Sequence, residues 1–118
     1  MIIKTILIAL LGIFFMLNGL NHLFNGQVLE EYARKRGLFS PKQMVLLSGI
    51  GLIFGGAALM APMLRIYGIL ALLLFMVVAT FTMHRFWEEK DKYDRLLESM
   101  NFAKNLAIIT ELVYIGWA

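Results

Sequence analysis

Four apolar stretches of near-spanning length, at about residues 5–24, 44–61, 66–86 and 102–117, leave this 118-residue chain little choice of solvent. A helix crossing about 30 Å of hydrocarbon needs roughly 20 predominantly apolar residues. With 60% hydrophobic and only 16% charged residues, a soluble globule of this size would expose more apolar surface than water tolerates. In a bilayer the backbone must satisfy its own polar groups, which helices do. The expected fold is therefore all-α: one integral membrane domain over 1–118, a four-transmembrane-helix bundle with short amphipathic interfacial helices in the first and third loops.

The chain has no cysteine, so it forms no disulfide, thiolate metal site or thiol redox couple of its own. Redox chemistry would need a cofactor, a bound molecule or a partner. The net charge of +3 is distributed as membrane topology rather than as a nucleic-acid footprint. Nucleic acid is not an expected partner. Met1 to Lys4 followed by an apolar run has the outline of a signal peptide, but no small-residue cleavage site follows and the run continues into Asn18, Asn21 and His22. It is read as the first span.

Asn18, Asn21 and His22 fall on one helical face, at i, i+3 and i+4, and are expected to point into the bundle. Asn25-Gly26 ends that helix. Val28, Leu29, Tyr32 and Ala33 then lie opposite Glu30, Glu31, Arg34 and Lys35, the pattern of a short helix lying on a membrane surface and closed by Gly37. Ser40, Pro41 and Gln43 read as a capping box opening the second span. Within it Gly51 and Gly55 stand in small-xxx-small register, expected to serve packing inside the chain rather than a dimer seam, with homo-oligomerisation left open.

Ala61-Pro62 breaks the second span and predicts a tight antiparallel hairpin into the third, which stays apolar until Thr80, Thr82 and His84. Phe86 and Trp87 mark an interface. From Glu88 to Met100, Tyr93, Leu96, Leu97 and Met100 repeat at helical spacing, predicting a second interfacial helix with its charges in water. The fourth span, Phe102–Trp117, is only 16 residues, about 24 Å. With Ala118 at the far interface, Lys104 and Asn105 are drawn below the near one and Glu111 lies close to mid-depth. Nine Lys and Arg residues flank the first and third loops against two on the other side. That count places both charged loops in the cytoplasm and both termini outside a cytoplasmic membrane.

On this topology Asn18, Asn21, His22, His84, Trp87, Lys104 and Asn105 gather in the cytoplasmic half as a candidate ligand site, floored by Glu111. Buried ionisable groups in lipid cost several kcal/mol unless paired, which makes a functional site the default hypothesis. The competing interpretation has the histidines interfacial, Lys104 snorkelling and the asparagines serving as interhelical glue.

H-R-F-W (84–87), N-F-A-K-N-L-A-I (101–108), G-L-N-H (19–22) and the paired glycines 55 and 56 together resemble the DoxX family of small four-helix membrane proteins. Many members carry an acidic residue three positions before the paired glycines, where this chain has Leu52. The resemblance implies a link to membrane oxidoreductase systems, including quinone-reducing thiosulfate oxidation and responses to quinone or oxidative stress, and in distant relatives to trafficking or receptor assembly. A quinone or other lipid-like molecule is the ligand expected from the donors His84, Lys104 and Asn105. No intrinsic cofactor is expected, nor a haem between His22 and His84, because the sequence identifies no residue orienting either imidazole. No nucleophile triad, phosphate loop, dinucleotide fingerprint or metal cluster occurs, so no catalytic residue and no metal ligand are assigned. Enzyme, accessory subunit of an oxidoreductase, and non-enzymatic assembly or interaction protein stay open readings.

Overall fold

The computed structural model describes residues 1–117. Five α-helices follow one another among them: α1 (Ile2–Phe24), α2 (Gly26–Lys35), α3 (Pro41–Leu59), α4 (Arg65–Met83) and α5 (Lys92–Trp117), with a 3-10 turn at Phe86–Glu88. No strand occurs among the described residues. The chain divides into two compact units, residues 1–72 and residues 73 onward. Ala118, expected at the far interface, lies outside the described residues.

In the first unit α1 and α3 run antiparallel with their backbones almost touching. A Cβ on Gly12 would lie 2.6 Å from the carbonyl oxygen of Gly56, and one on Gly19 would lie 2.7 Å from that of Gly49. Glycines seven residues apart on each helix thus form a seam through which the helices gain close van der Waals contact, the attraction that lipid tails do not supply. Gly51, expected to pack, faces open space, and Gly55 abuts Leu72 instead.

At the end of α3 the chain turns within Met60–Leu64, and Arg65 Nε donates to the Leu59 carbonyl at 2.8 Å, capping the helix it has just left. A Cβ on Gly68 would meet Ala58 at 2.8 Å, so the expected hairpin is closely packed at its base.

A short helix is present in the first loop, as expected, at α2. Only Asn25 separates it from α1. Arg34 binds Glu30 at 2.8 Å and Glu31 at 2.5 Å along one side, while Ala33 is buried. Gly37 ends it at φ +75°, a left-handed conformation that suits glycine, with its N–H on Arg34 O and the Leu38 N–H on Ala33 O. The capping box expected at Ser40 does not form: Ser40 adopts φ 47°, its side chain caps nothing, and α3 starts on Pro41 alone.

The second unit holds the end of α4 and all of α5. Here the expectation of a separate interfacial helix from Glu88 to Met100 is corrected. Asp91 Oδ2 accepts from the Asp94 N–H at 3.0 Å and starts a single helix of 26 residues that runs on to Trp117. Its first third continues directly into the apolar part, because nothing between Met100 and Phe102 breaks a helix.

Among the described residues three helices are long and apolar enough to cross a membrane: α1, α3 and the stretch Arg65–Glu88 that contains α4. The fourth expected span, now the distal part of α5, is diluted by Lys104, Asn105 and Glu111. Along α1 an unbroken stripe of Ile6, Leu10, Ile13 and Leu17 is exposed. In water such a surface would associate; in lipid it is the expected solvent-facing side.

Candidate functional site

Asn18 Nδ2 donates to Phe14 O at 2.8 Å, and His22 Nδ1 lies 2.8 Å from Asn18 O, one turn further along α1. A carbonyl oxygen only accepts, so Nδ1 carries the proton. Asn21 is exposed and its Oδ1 accepts from Asn25 Nδ2. The three polar side chains share a face as expected, yet these bonds run along their own helix rather than into a common ligand cage. Thr80 and Thr82 likewise donate to Met76 O and Val78 O on α4.

His22 also borders a cleft of about 480 Å³ in the first unit. The end of α1, α2 and the start of α3 enclose it, with Asn25, Gln27, Glu30 and Lys42 supplying the polar lining.

The second unit carries the more concentrated chemistry. His84 follows α4 directly, and its Nδ1 lies 3.1 Å from Glu98 Oε1. The same oxygen accepts from Asn101 Nδ2 at 3.0 Å. Most charges of this stretch face water as expected, but Glu98 is only 3% exposed and departs from that expectation. A carboxylate taken out of water needs such partners, and here an imidazole and an amide supply them.

Beside this pair the rings of Phe81, Phe86 and Trp87 all meet Phe102 edge-to-face, at centroid distances of 5.3, 5.4 and 5.7 Å. Trp87 remains half exposed. Edge-to-face packing of four rings fixes the turn 84–88 against α5.

A family model described as DoxX matches residues 5–85. The chain belongs to the DoxX family. No curated protein and no solved structure matches it. This DoxX protein is a membrane protein, with its apolar helices as the spans. The match stops at Arg85, so His84 lies within it while Trp87, Glu98 and the whole of α5 lie beyond it.

The eight residues expected to form one site are divided between the units of the DoxX chain. Asn18, Asn21 and His22 belong to the first; His84, Trp87, Lys104, Asn105 and Glu111 belong to the second. Within the second, Asn105 is buried on the face of α5 that also carries Glu98, Asn101 and Leu112, spaced at i, i+3, i+7 and i+14. Lys104 and Glu111 are exposed.

Two residues escaped sequence reasoning. Glu98 and Asn101 become visible only if one helical phase is carried through Met100, since dividing the stretch there hides the polar face leading to Asn105. Both imidazoles, expected to lack orienting partners, have one: the Asn18 carbonyl for His22 and Glu98 for His84. Among the described residues no group of three or more His, Cys, Asp or Glu side chains is arranged to hold a metal ion.

Proposed function

We propose that this DoxX protein is a ligand-binding accessory component of a membrane oxidoreductase system, taking a quinone-like head group beside His84. The observation that carries this reading is the buried Glu98 carboxylate on His84 Nδ1, next to a cluster of aromatic rings at the end of a span. With Nδ1 held by Glu98, protonation places the second N–H of the imidazole at Nε2, an atom able to donate to a quinone carbonyl. The half-exposed Trp87 ring, held edge-on by Phe86 and Phe102, offers an apolar face against which a quinone ring can stack, and Asn105 a further amide. On this reading α5 is the fourth crossing of a four-helix membrane bundle. Both termini lie outside the cytoplasmic membrane, and the charged segments around α2 and Lys90–Arg95 lie in the cytoplasm.

The test is equilibrium binding of a short-chain quinone analogue to purified protein. Loss of a donor to a carbonyl costs about 1–3 kcal/mol, so His84→Leu and Asn105→Leu should each weaken binding about five- to a hundredfold, with His84→Leu also lowering stability because it takes a partner from the buried Glu98. Lys104→Met, at an exposed position, should leave binding unchanged. No binding by the parent, or unchanged binding in both leucine variants, sinks the reading.

A second reading, a non-enzymatic assembly or interaction protein, is favoured by one observation: Asn18, His22, Thr80 and Thr82 all bond to carbonyls of their own helices. Co-purification from native membranes separates the two. Bound quinone with oxidoreductase subunits supports the first, and a client protein without quinone supports the second.

A further inference from the structure

The cleft lies within the first unit and differs in its chemistry from the His84 site. Its walls are part apolar, from Phe24, Val28 and Leu46, and part polar, from Gln27 and Lys42. The acidic side chain on its lining, Glu30, is held by Arg34 Nη2 at 2.8 Å, which offsets its charge. Lys42 is exposed and makes no ion pair among the described residues. Arg34, Lys35 and Arg36 follow on α2 and its cap; with Arg34 bound to Glu30 and Glu31, this segment keeps a small net positive charge beside Lys42.

A site of this kind lies where α1, a membrane span, gives way to a surface helix. That is the depth of phospholipid phosphates, with hydrocarbon on one side and water on the other. We propose that the cleft seats the head group of an anionic glycerophospholipid from the surrounding leaflet. Lys42 binds the phosphodiester, the Gln27 amide donates to it, and Phe24, Val28 and Leu46 receive the glycerol end of the acyl chains. A lipid with a compensating ammonium in its head group is disfavoured, because the only carboxylate on the cleft lining is already engaged by Arg34.

The experiment is native mass spectrometry of the full chain released from mild detergent with added phosphatidylglycerol, phosphatidylcholine or inorganic phosphate. One phosphatidylglycerol should be retained per chain, with phosphatidylcholine retained far less and inorganic phosphate not displacing it. Lys42→Gln should lower phosphatidylglycerol affinity about fivefold or more. Lys35→Gln, the same charge change on α2 but away from the cleft lining, should leave it within about twofold. Equal losses in the two variants would reduce the effect to general attraction between a basic surface and an anionic lipid, and overturn the site. Equal retention of phosphatidylcholine, or displacement by inorganic phosphate, would overturn the assignment of its ligand.

Discussion

Glu98 is the single acidic side chain among the described residues that is buried, and two donors converge on one of its oxygens. Replacing it with leucine removes the Glu98 oxygen that both the His84 N–H and the Asn101 amide use as acceptor at this part-buried site. Each orphaned donor costs about 1–3 kcal/mol. Glutamine keeps a carbonyl oxygen in nearly the same place. Glu98→Leu is therefore expected to lower stability to denaturant in mild detergent by at least one such increment, and Glu98→Gln by distinctly less. Equal effects would show that the negative charge, not the acceptor, is what the site needs. The residue was hidden in the sequence for a physical reason: a glutamate among seven other charged residues between Glu88 and Glu98 reads as solvated, and only a partner fourteen positions upstream removes it from water.

At the scale of elements, the glycine seam between α1 and α3 and the unbroken α5 differ most from what the periodicity implies. Helix existence was legible, because runs of apolar residues near spanning length have few alternatives, and so was the Pro41 start of α3 and the Gly37 end of α2. Which glycines face a neighbour was not. In a span apolar on every side, lipid and a partner helix select the same residues, so the pattern carries no phase to separate Gly51 from Gly49 and Gly56. Alanine substitutions distinguish them. Gly56→Ala forces a methyl group onto the Gly12 backbone and is expected to destabilise by about 1–3 kcal/mol, as overpacking does. Gly51→Ala meets open space and should be neutral or stabilising by up to about 1 kcal/mol through helix propensity. Thermal unfolding of the two variants side by side checks the seam, and a reversal of their order would contradict it.

At the scale of the whole molecule the open quantity is how often the chain crosses the bilayer. Three helices meet the demands of length and apolarity, and α5 meets the length alone. Nine basic residues around the two charged segments, against Lys4 and Arg65 elsewhere, favour the proposed orientation. The cysteine-free background makes it directly measurable. Cysteines at Lys35 and Lys92 should react in intact cells only with a membrane-permeant thiol reagent, and one at Met63 also with an impermeant one. Labelling of the Lys92 position from outside would invert the topology of the third loop.

Nothing between Lys92 and Ile115 is proline or glycine, so α5 has no built-in hinge where its charged first turns give way to its apolar ones. Its 26 residues form a rod of about 39 Å. Leaning such a rod by about 10° sweeps one end sideways by roughly 7 Å relative to the other. Were α5 the proposed fourth crossing, bilayer thickness would be a mechanical input to its Glu98 end: a thinner or thicker membrane that re-tilted the distal part would shift the carboxylate against its imidazole partner without any ligand being involved.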